Sequence, residues 1–242
     1  MIERLNIIAD ITSTRQNGPE NLEAKISIIS KLDAMTPAGV PIASSSSGLV
    51  ASTFITGCTH DSSRILIGHP FNPPHIVPLV EVVPHPGTAE GTLRRATQFY
   101  KDLGKVPVVI KKELPGFVAN RLQAAINNEA FSLVERGIIT PQDLDQLVTA
   151  GPGLRWAAQG PFMTNVLAGG RGGFGHHLRH LGPNRAAWMD DMIKYRFDYL
   201  DESKVSQLEE NCKELLAEAE ATGLEKLEEQ RDERLQSILQ SG

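Results

Sequence analysis

The stretch Arg64-Ile65-Leu66-Ile67-Gly68-His69-Pro70-Phe71-Asn72-Pro73-Pro74, followed by Val77-Pro78-Leu79-Val80-Glu81-Val82-Val83, decides the fold. Residues 64–67 and 77–83 are short β-branched runs set apart by a turn rich in proline, and they read as two strands. Upstream, residues 20–35 place Leu22, Ile26, Ile29 and Leu32 at helical spacing, and Pro41-Ile42-Ala43 leads as a short strand into Ser44-Ser45-Ser46-Ser47-Gly48-Leu49. Downstream, residues 87–103 read as a helix ending at Gly104, and residues 106–111 as a further strand. This βαβ rhythm predicts an α/β unit with a mostly parallel or mixed sheet covered by helices.

After Pro115 the pattern becomes helical only. Val118, Leu122, Ile126, Ala130, Leu133 and Val134 mark one apolar face, and Thr140-Pro141-Gln142-Asp143 has the form of an N-cap, an N1 proline and an acidic first turn. Two domains are therefore expected: an α/β domain over residues 1–112 and an all-helical domain over 113–242 that serves dimerisation and substrate binding. From Asp201 onward the chain carries twelve acidic and five basic side chains, arranged as two amphipathic segments divided near Gly223. Val205, Leu208, Cys212, Leu215 and Ala219 form the stripe of the first segment, a pattern typical of core or subunit contact.

The net charge of −5 comes from that tail, and no basic stripe with interleaved aromatics occurs in either half, which argues against nucleic acid as the main partner. No run approaches a membrane span, the N-terminus lacks the long apolar core of a signal peptide, and a cytoplasmic location is expected. Cys58 and Cys212 lack metal-type spacing and read as reduced thiols.

A literal G-x-G-x-x-G falls at Gly170, Gly172 and Gly175, but in the helical half, where neither a preceding strand nor a βαβ context supports phosphate binding. His176 and His180 share a helix face without a third ligand, so no metal site is expected. His69 and Glu81 close successive strand-like segments. A carboxylate bonded to one imidazole nitrogen makes the other a usable general base, and a buried histidine satisfied by a nearby acid is the equal alternative. Ser47 and Asn120 could hold a substrate oxygen, or could be capping residues.

Together these residues resemble the 3-hydroxyacyl-CoA dehydrogenase family, and more closely its branch containing lambda-crystallin, L-gulonate 3-dehydrogenase and carnitine dehydrogenase. The resemblance covers roughly residues 16 to 185. It implies a Rossmann-like sheet followed by a helical C-terminal domain, with Ser47, His69, Glu81 and Asn120 (the last in Pro115-Gly116-Phe117-Val118-Ala119-Asn120-Arg121) as the catalytic constellation. Gly18-Pro19-Glu20-Asn21-Leu22-Glu23-Ala24-Lys25 is similar to the segment whose acid and lysine touch the cofactor, so Glu20 and Lys25 correspond to those positions. Gly151-Pro152-Gly153-Leu154-Arg155-Trp156 and Gly160-Pro161 match further motifs of the branch.

Family members begin with a strand-turn-helix carrying a glycine fingerprint, and this sequence shows none ahead of Gln16, although residues 4–11 resemble a family strand. The expectation is therefore a truncated Rossmann-like domain in which Glu20 and Lys25 are vestigial cofactor-binding residues and no cofactor is bound. The exposed strand edge would be shielded by the N-terminal segment or a second subunit. The expected activity is cofactor-independent acid/base chemistry on a β-keto or β-hydroxy acyl compound, free or carrier-bound: Claisen or Dieckmann-type cyclisation, or dehydration as a lyase, in secondary metabolism. The alternatives are an NAD-dependent 3-hydroxyacyl or 3-hydroxy acid oxidoreductase, as a fragment or subunit, and a non-catalytic structural protein. A homodimer is expected.

Overall fold

A computed structural model describes residues 14–16 and 20–240. Five strands form one sheet in the order β1 (Thr14–Gln16), β2 (Ile42–Ser44), β3 (Ile65–Pro70), β4 (Leu79–Pro84), β5 (Val106–Val109). All neighbours run parallel except β3 and β4, which are antiparallel. The sheet is thus mixed and Rossmann-like. β1 occupies the side of β2 away from β3. The strand resemblance at residues 4–11 lies outside the described residues.

Alternation along β3 and β4 divides the core between two faces. Ile65, Ile67 and Val83 point to one side, where they pack with Ile42 and with Ile29 and Leu32 of α1 (Leu22–Met35) and Ala51 and Phe54 of α2 (Ala51–Phe54). Leu66, Val80 and Val82 point to the other, against Ala96 and Tyr100 of α3 (Glu90–Asp102). Tyr100 lies so close to β3 that a β-carbon at Gly68 would meet its ring atom Cε2 at 2.9 Å and its hydroxyl nearer still. Gly68→Ala is expected to cost about 1–3 kcal/mol through overpacking, read as a lower denaturation midpoint at unchanged m-value.

The inner stripe of α1 is not purely apolar. Lys25 and Asp33 are buried beside Ile29 and Leu32, Leu22 is 41% exposed, and each buried charge has an opposite partner, Glu20 for Lys25 and Arg64 for Asp33. Spacing of apolar residues alone could not show this, because the charges sit on the face that the pattern marks as core.

The chain folds as two compact units, residues 1–123 and 124–242, so the division falls within α4 (Ala119–Glu135). The second unit is helical: α5 (Pro141–Ala150), α6 (Pro152–Ala158), α7 (Pro161–Ala168), α8 (Gly173–Lys194), α9 (Glu202–Asn211), α10 (Lys213–Thr222) and α11 (Leu224–Gln240). Thr140 caps α5, its hydroxyl accepting the Asp143 N–H at 3.2 Å. Phe131, Phe197 and Tyr199 stack edge to face, while Asn128 and Ser132 donate to the carbonyls of Phe197 and Tyr195. The acidic tail forms three helices rather than two segments, because the chain breaks at Cys212 as well as at Gly223, whose φ is +87°. Among the described residues no helix is long and apolar enough to cross a membrane.

Candidate active site

Antiparallel register places His69 of β3 directly opposite Glu81 of β4, so both side chains leave the same face of the sheet. Nδ1 of His69 donates to Oε2 of Glu81 at 2.9 Å; a carboxylate only accepts, which puts the imidazole proton on Nδ1 and leaves Nε2 as a lone-pair acceptor. Both residues are buried, 6% and 2% exposed. The second carboxylate oxygen is also committed: Glu81 Oε1 accepts the N–H groups of Val118 and Ala119 at 2.9 and 3.0 Å, the unpaired amides that open α4.

The serine run follows β2 at the carboxyl end of the parallel strands, where α/β sheets leave their crevice. Its turn is clipped by Glu20, whose Oε1 accepts from the Ser46 hydroxyl at 2.6 Å and from the Gly48 and Leu49 amides at 2.9 and 3.0 Å. Oε2 of Glu20 lies 3.0 Å from Nζ of Lys25, an ion pair in which the wholly buried ammonium makes no well-directed hydrogen bond among the described residues. Burial alone would raise the Glu20 carboxyl, but the Ser46, Leu49 and Gly48 donors and the nearby Lys25 ammonium outweigh it and hold the group at about 2. A depressed folded value means that the clip's contribution is complete above 4.5, the unperturbed value, and fades as pH falls toward 2. The stability difference between the parent and Glu20→Gln, followed by urea denaturation, is expected to shrink across that interval.

Asn120, in the first turn of α4, donates from Nδ2 to the Ser47 carbonyl at 2.6 Å, and Gly116 N–H donates to the Gly48 carbonyl at 3.1 Å. These bonds draw the serine turn and the start of α4 together. The result is a cleft of about 690 Å³ lined by Ser45, Ser47, His69, Pro70, Phe71, Asn72, Pro74, Asn120 and Gln123. The four expected catalytic positions meet here: Ser47, His69 and Asn120 line the cleft, and Glu81 stands behind His69. Glu20 and Lys25 stand one layer back, behind the serine turn. Ser45, Phe71, Asn72 and Gln123 were not singled out from sequence; Gln123 could have been, since it lies one helical turn beyond Asn120.

Other candidates fall away. Gly170, Gly172 and Gly175 follow α7, not a strand, and run into α8. His176 and His180 stack on the exposed face of α8, and no cluster of three or more potential metal ligands occurs among the described residues. Cys58 is pushed up to about 11 by burial and by the Asp33 charge, so it is no nucleophile at neutral pH.

A Rossmann-like sheet with an imidazole–carboxylate pair opening on a cleft has the make-up of an acid/base enzyme site. The sequence matches 3-hydroxyacyl-CoA dehydrogenase, NAD binding domain, over residues 4–114 and 3-hydroxyacyl-CoA dehydrogenase, C-terminal domain, over residues 116–197. A 3-hydroxyacyl-CoA dehydrogenase of Gibberella moniliformis is 51% identical over 96% of this chain and 71% of its own length. An L-carnitine dehydrogenase of Streptomyces coelicolor is 46% identical over 75% of this chain and 57% of its own. Among solved structures, 5-formyl-3-hydroxy-2-methylpyridine 4-carboxylic acid 5-dehydrogenase, an NAD+-dependent dismutase, aligns with a TM-score of 0.66 at 26% identity, covering 94% of this chain and 71% of that one. The chain belongs to the 3-hydroxyacyl-CoA dehydrogenase family.

These findings overturn two expectations. A cofactor-independent cyclase or lyase, and the absence of a cofactor, both give way to NAD, since residues 4–114 match an NAD binding domain and the relatives are dehydrogenases. The physical reason is that an imidazole–carboxylate pair serves equally to take a proton from O–H or from C–H. The absence of a glycine fingerprint ahead of Gln16 does not distinguish them, since where a sequence starts says nothing about the chemistry of the residues it contains.

Proposed function

We propose that this chain serves an NAD-dependent dehydrogenase that oxidises the hydroxyl carbon of a 3-hydroxyacyl or 3-hydroxy acid substrate, or reduces the corresponding ketone. The observation that carries the reading is the His69–Glu81 pair, which engages Nδ1 of an imidazole lining the same cleft as Ser47 and Asn120. Nε2 of His69 takes the substrate's hydroxyl proton. Glu81 stabilises the imidazolium that results, and its own charge is held by the two amides of α4. The Ser47 hydroxyl and the second Nδ2–H of Asn120 donate to the substrate oxygen and fix its direction. NAD, when bound, supplies the acceptor for the hydride leaving the same carbon. The residues fit such a cofactor: buried Lys25 keeps unspent donors beside the serine turn, held there by its ion pair with Oε2 of Glu20.

The substrate is a small acyl or hydroxy acid molecule, and the working form is a cytoplasmic homodimer built through the helical unit. Support for the dimer comes from apolar residues exposed there, including Phe162 at 76%, Trp188 at 61% and Ile193 at 65%. The decisive experiment titrates the full chain with NADH by fluorescence, then follows NAD+ reduction with L-carnitine and with a short-chain 3-hydroxyacyl-CoA. Micromolar NADH binding and turnover of one substrate are expected. Fluorescence silence together with no NAD+ reduction would reject the reading.

A further inference from the structure

Phe117 is the only non-glycine residue with a positive φ among the described residues, at +51°, and it follows Gly116 at +73°. Such a backbone costs a bulky side chain free energy and persists only where its surroundings hold it. What holds it is visible. The ring is 0% exposed in the cluster of Ile29, Ile42, Phe54, Ile65, Ile67 and Val83, and its centroid lies 5.4 Å from that of the His69 imidazole. What the left-handed turn achieves is visible too. The next two N–H groups, those of Val118 and Ala119, both point at Oε1 of Glu81. One residue therefore bears on both members of the proton-transfer pair, packing its ring against the imidazole and directing the Val118 and Ala119 amides that bind the carboxylate. Phe117 does not line the cleft and has no route to substrate.

We propose that Phe117 is a positioning residue, whose left-handed backbone aims the first amides of α4 at Glu81 while its ring backs the His69 imidazole, seating base and carboxylate as one unit. The assignment rests on the dehydrogenase reading for its kinetic consequence and on geometry alone for its structural one. Displacement of a catalytic group by even ~1 Å can cost about 10²-fold in rate, so the effect belongs in kcat. The two requirements are separable by substitution. Phe117→Gly accepts the positive φ freely and removes the ring; Phe117→Leu keeps an apolar side chain but not the aromatic face against His69.

The test uses the full chain with either substitution, alone and combined with Glu81→Gln. The expected result is a fall in kcat of roughly 10- to 100-fold, with KM and NADH affinity within about 3-fold of the parent. In the Glu81→Gln background, where the unit is already broken, either substitution should remove no more than about 2-fold further. A second readout needs no turnover: the proton resonance of His69 Nδ1–H, held by Glu81 in the parent, should broaden or vanish in the Phe117 variants. A rise in KM at unchanged kcat, losses that multiply with Glu81→Gln, or an unaltered His69 resonance would each overturn the proposal. Should Phe117→Gly fail to fold, Phe117→Leu carries the comparison. If the parent neither binds NADH nor turns over, the dehydrogenase reading fails while the resonance still decides the role of Phe117.

Discussion

His69→Ala is expected to lower kcat by about 10²- to 10⁴-fold while leaving NADH affinity within a factor of about three, because a placed general base contributes that much and the imidazole lines the substrate cleft. His69→Gln should do no better, since its amide fills the space without accepting a proton. Glu81→Gln is expected to fall short of the full loss. The amide can still accept through its oxygen from Nδ1 or from the α4 amides, but the negative charge that stabilises the imidazolium is gone. Steady-state kinetics across pH, run beside an NADH titration of each variant, separates loss of chemistry from loss of binding. Full kcat in His69→Ala would remove the imidazole from the reaction and with it the proposed role of Glu81.

How far the sequence reached depends on which physical signal each element carries. β3 and β4 were legible because short β-branched runs flanked by Pro and Gly have few other solutions, and α5 because Thr140 and Pro141 mark its start chemically. The His69–Glu81 pairing was legible as a possibility; only the antiparallel register, fixed by hydrogen bonds between distant residues, turned it into a contact. The burial of Lys25 and Asp33 was illegible because a buried charge has no periodic signature, and the partner of Asp33, Arg64, stands on a different element. The role of Phe117 was illegible for a related reason, since nothing in a residue's identity announces a left-handed φ when the residue is not glycine. The cofactor reading failed where it relied on an absence; the match of residues 4–114 to an NAD binding domain and the dehydrogenase relatives overturned it.

The largest loss of stability is expected from breaking the ion pair that joins α1 to Arg64, the residue just before β3. Asp33 and Arg64 are 0% and 3% exposed at their side chains and meet at 3.0 Å between Oδ1 and Nη2. Arg64 also donates from Nη1 to the Thr36 and Pro37 carbonyls at 2.9 and 2.7 Å and from Nη2 to the Asp33 carbonyl, so it satisfies acceptors at the end of α1. Asp33 in turn accepts the N–H groups of Thr59, His60 and Asp61 at 3.1, 2.9 and 3.1 Å, fixing the turn that leads into β3. Burial would raise the Asp33 carboxyl, but the His60 amide, Arg64 and the Asp61 amide together hold it below its ordinary value. Removing one partner leaves the other charge buried and unpaired, and Asp33→Ala or Arg64→Ala is expected to cost about 3–5 kcal/mol in urea denaturation. An apolar double replacement should not restore the parent, in contrast to simpler buried pairs, because it strands the three amides and the three carbonyls as well. Since the folded value is depressed, this contribution is present above the ordinary aspartate range and is lost as pH falls below it, so the parent should lose its advantage over Asp33→Ala in acid. A cost below about 1 kcal/mol for Asp33→Ala at neutral pH would show that the pair does not hold β3 in place, and the register that brings His69 to Glu81 would then need another anchor.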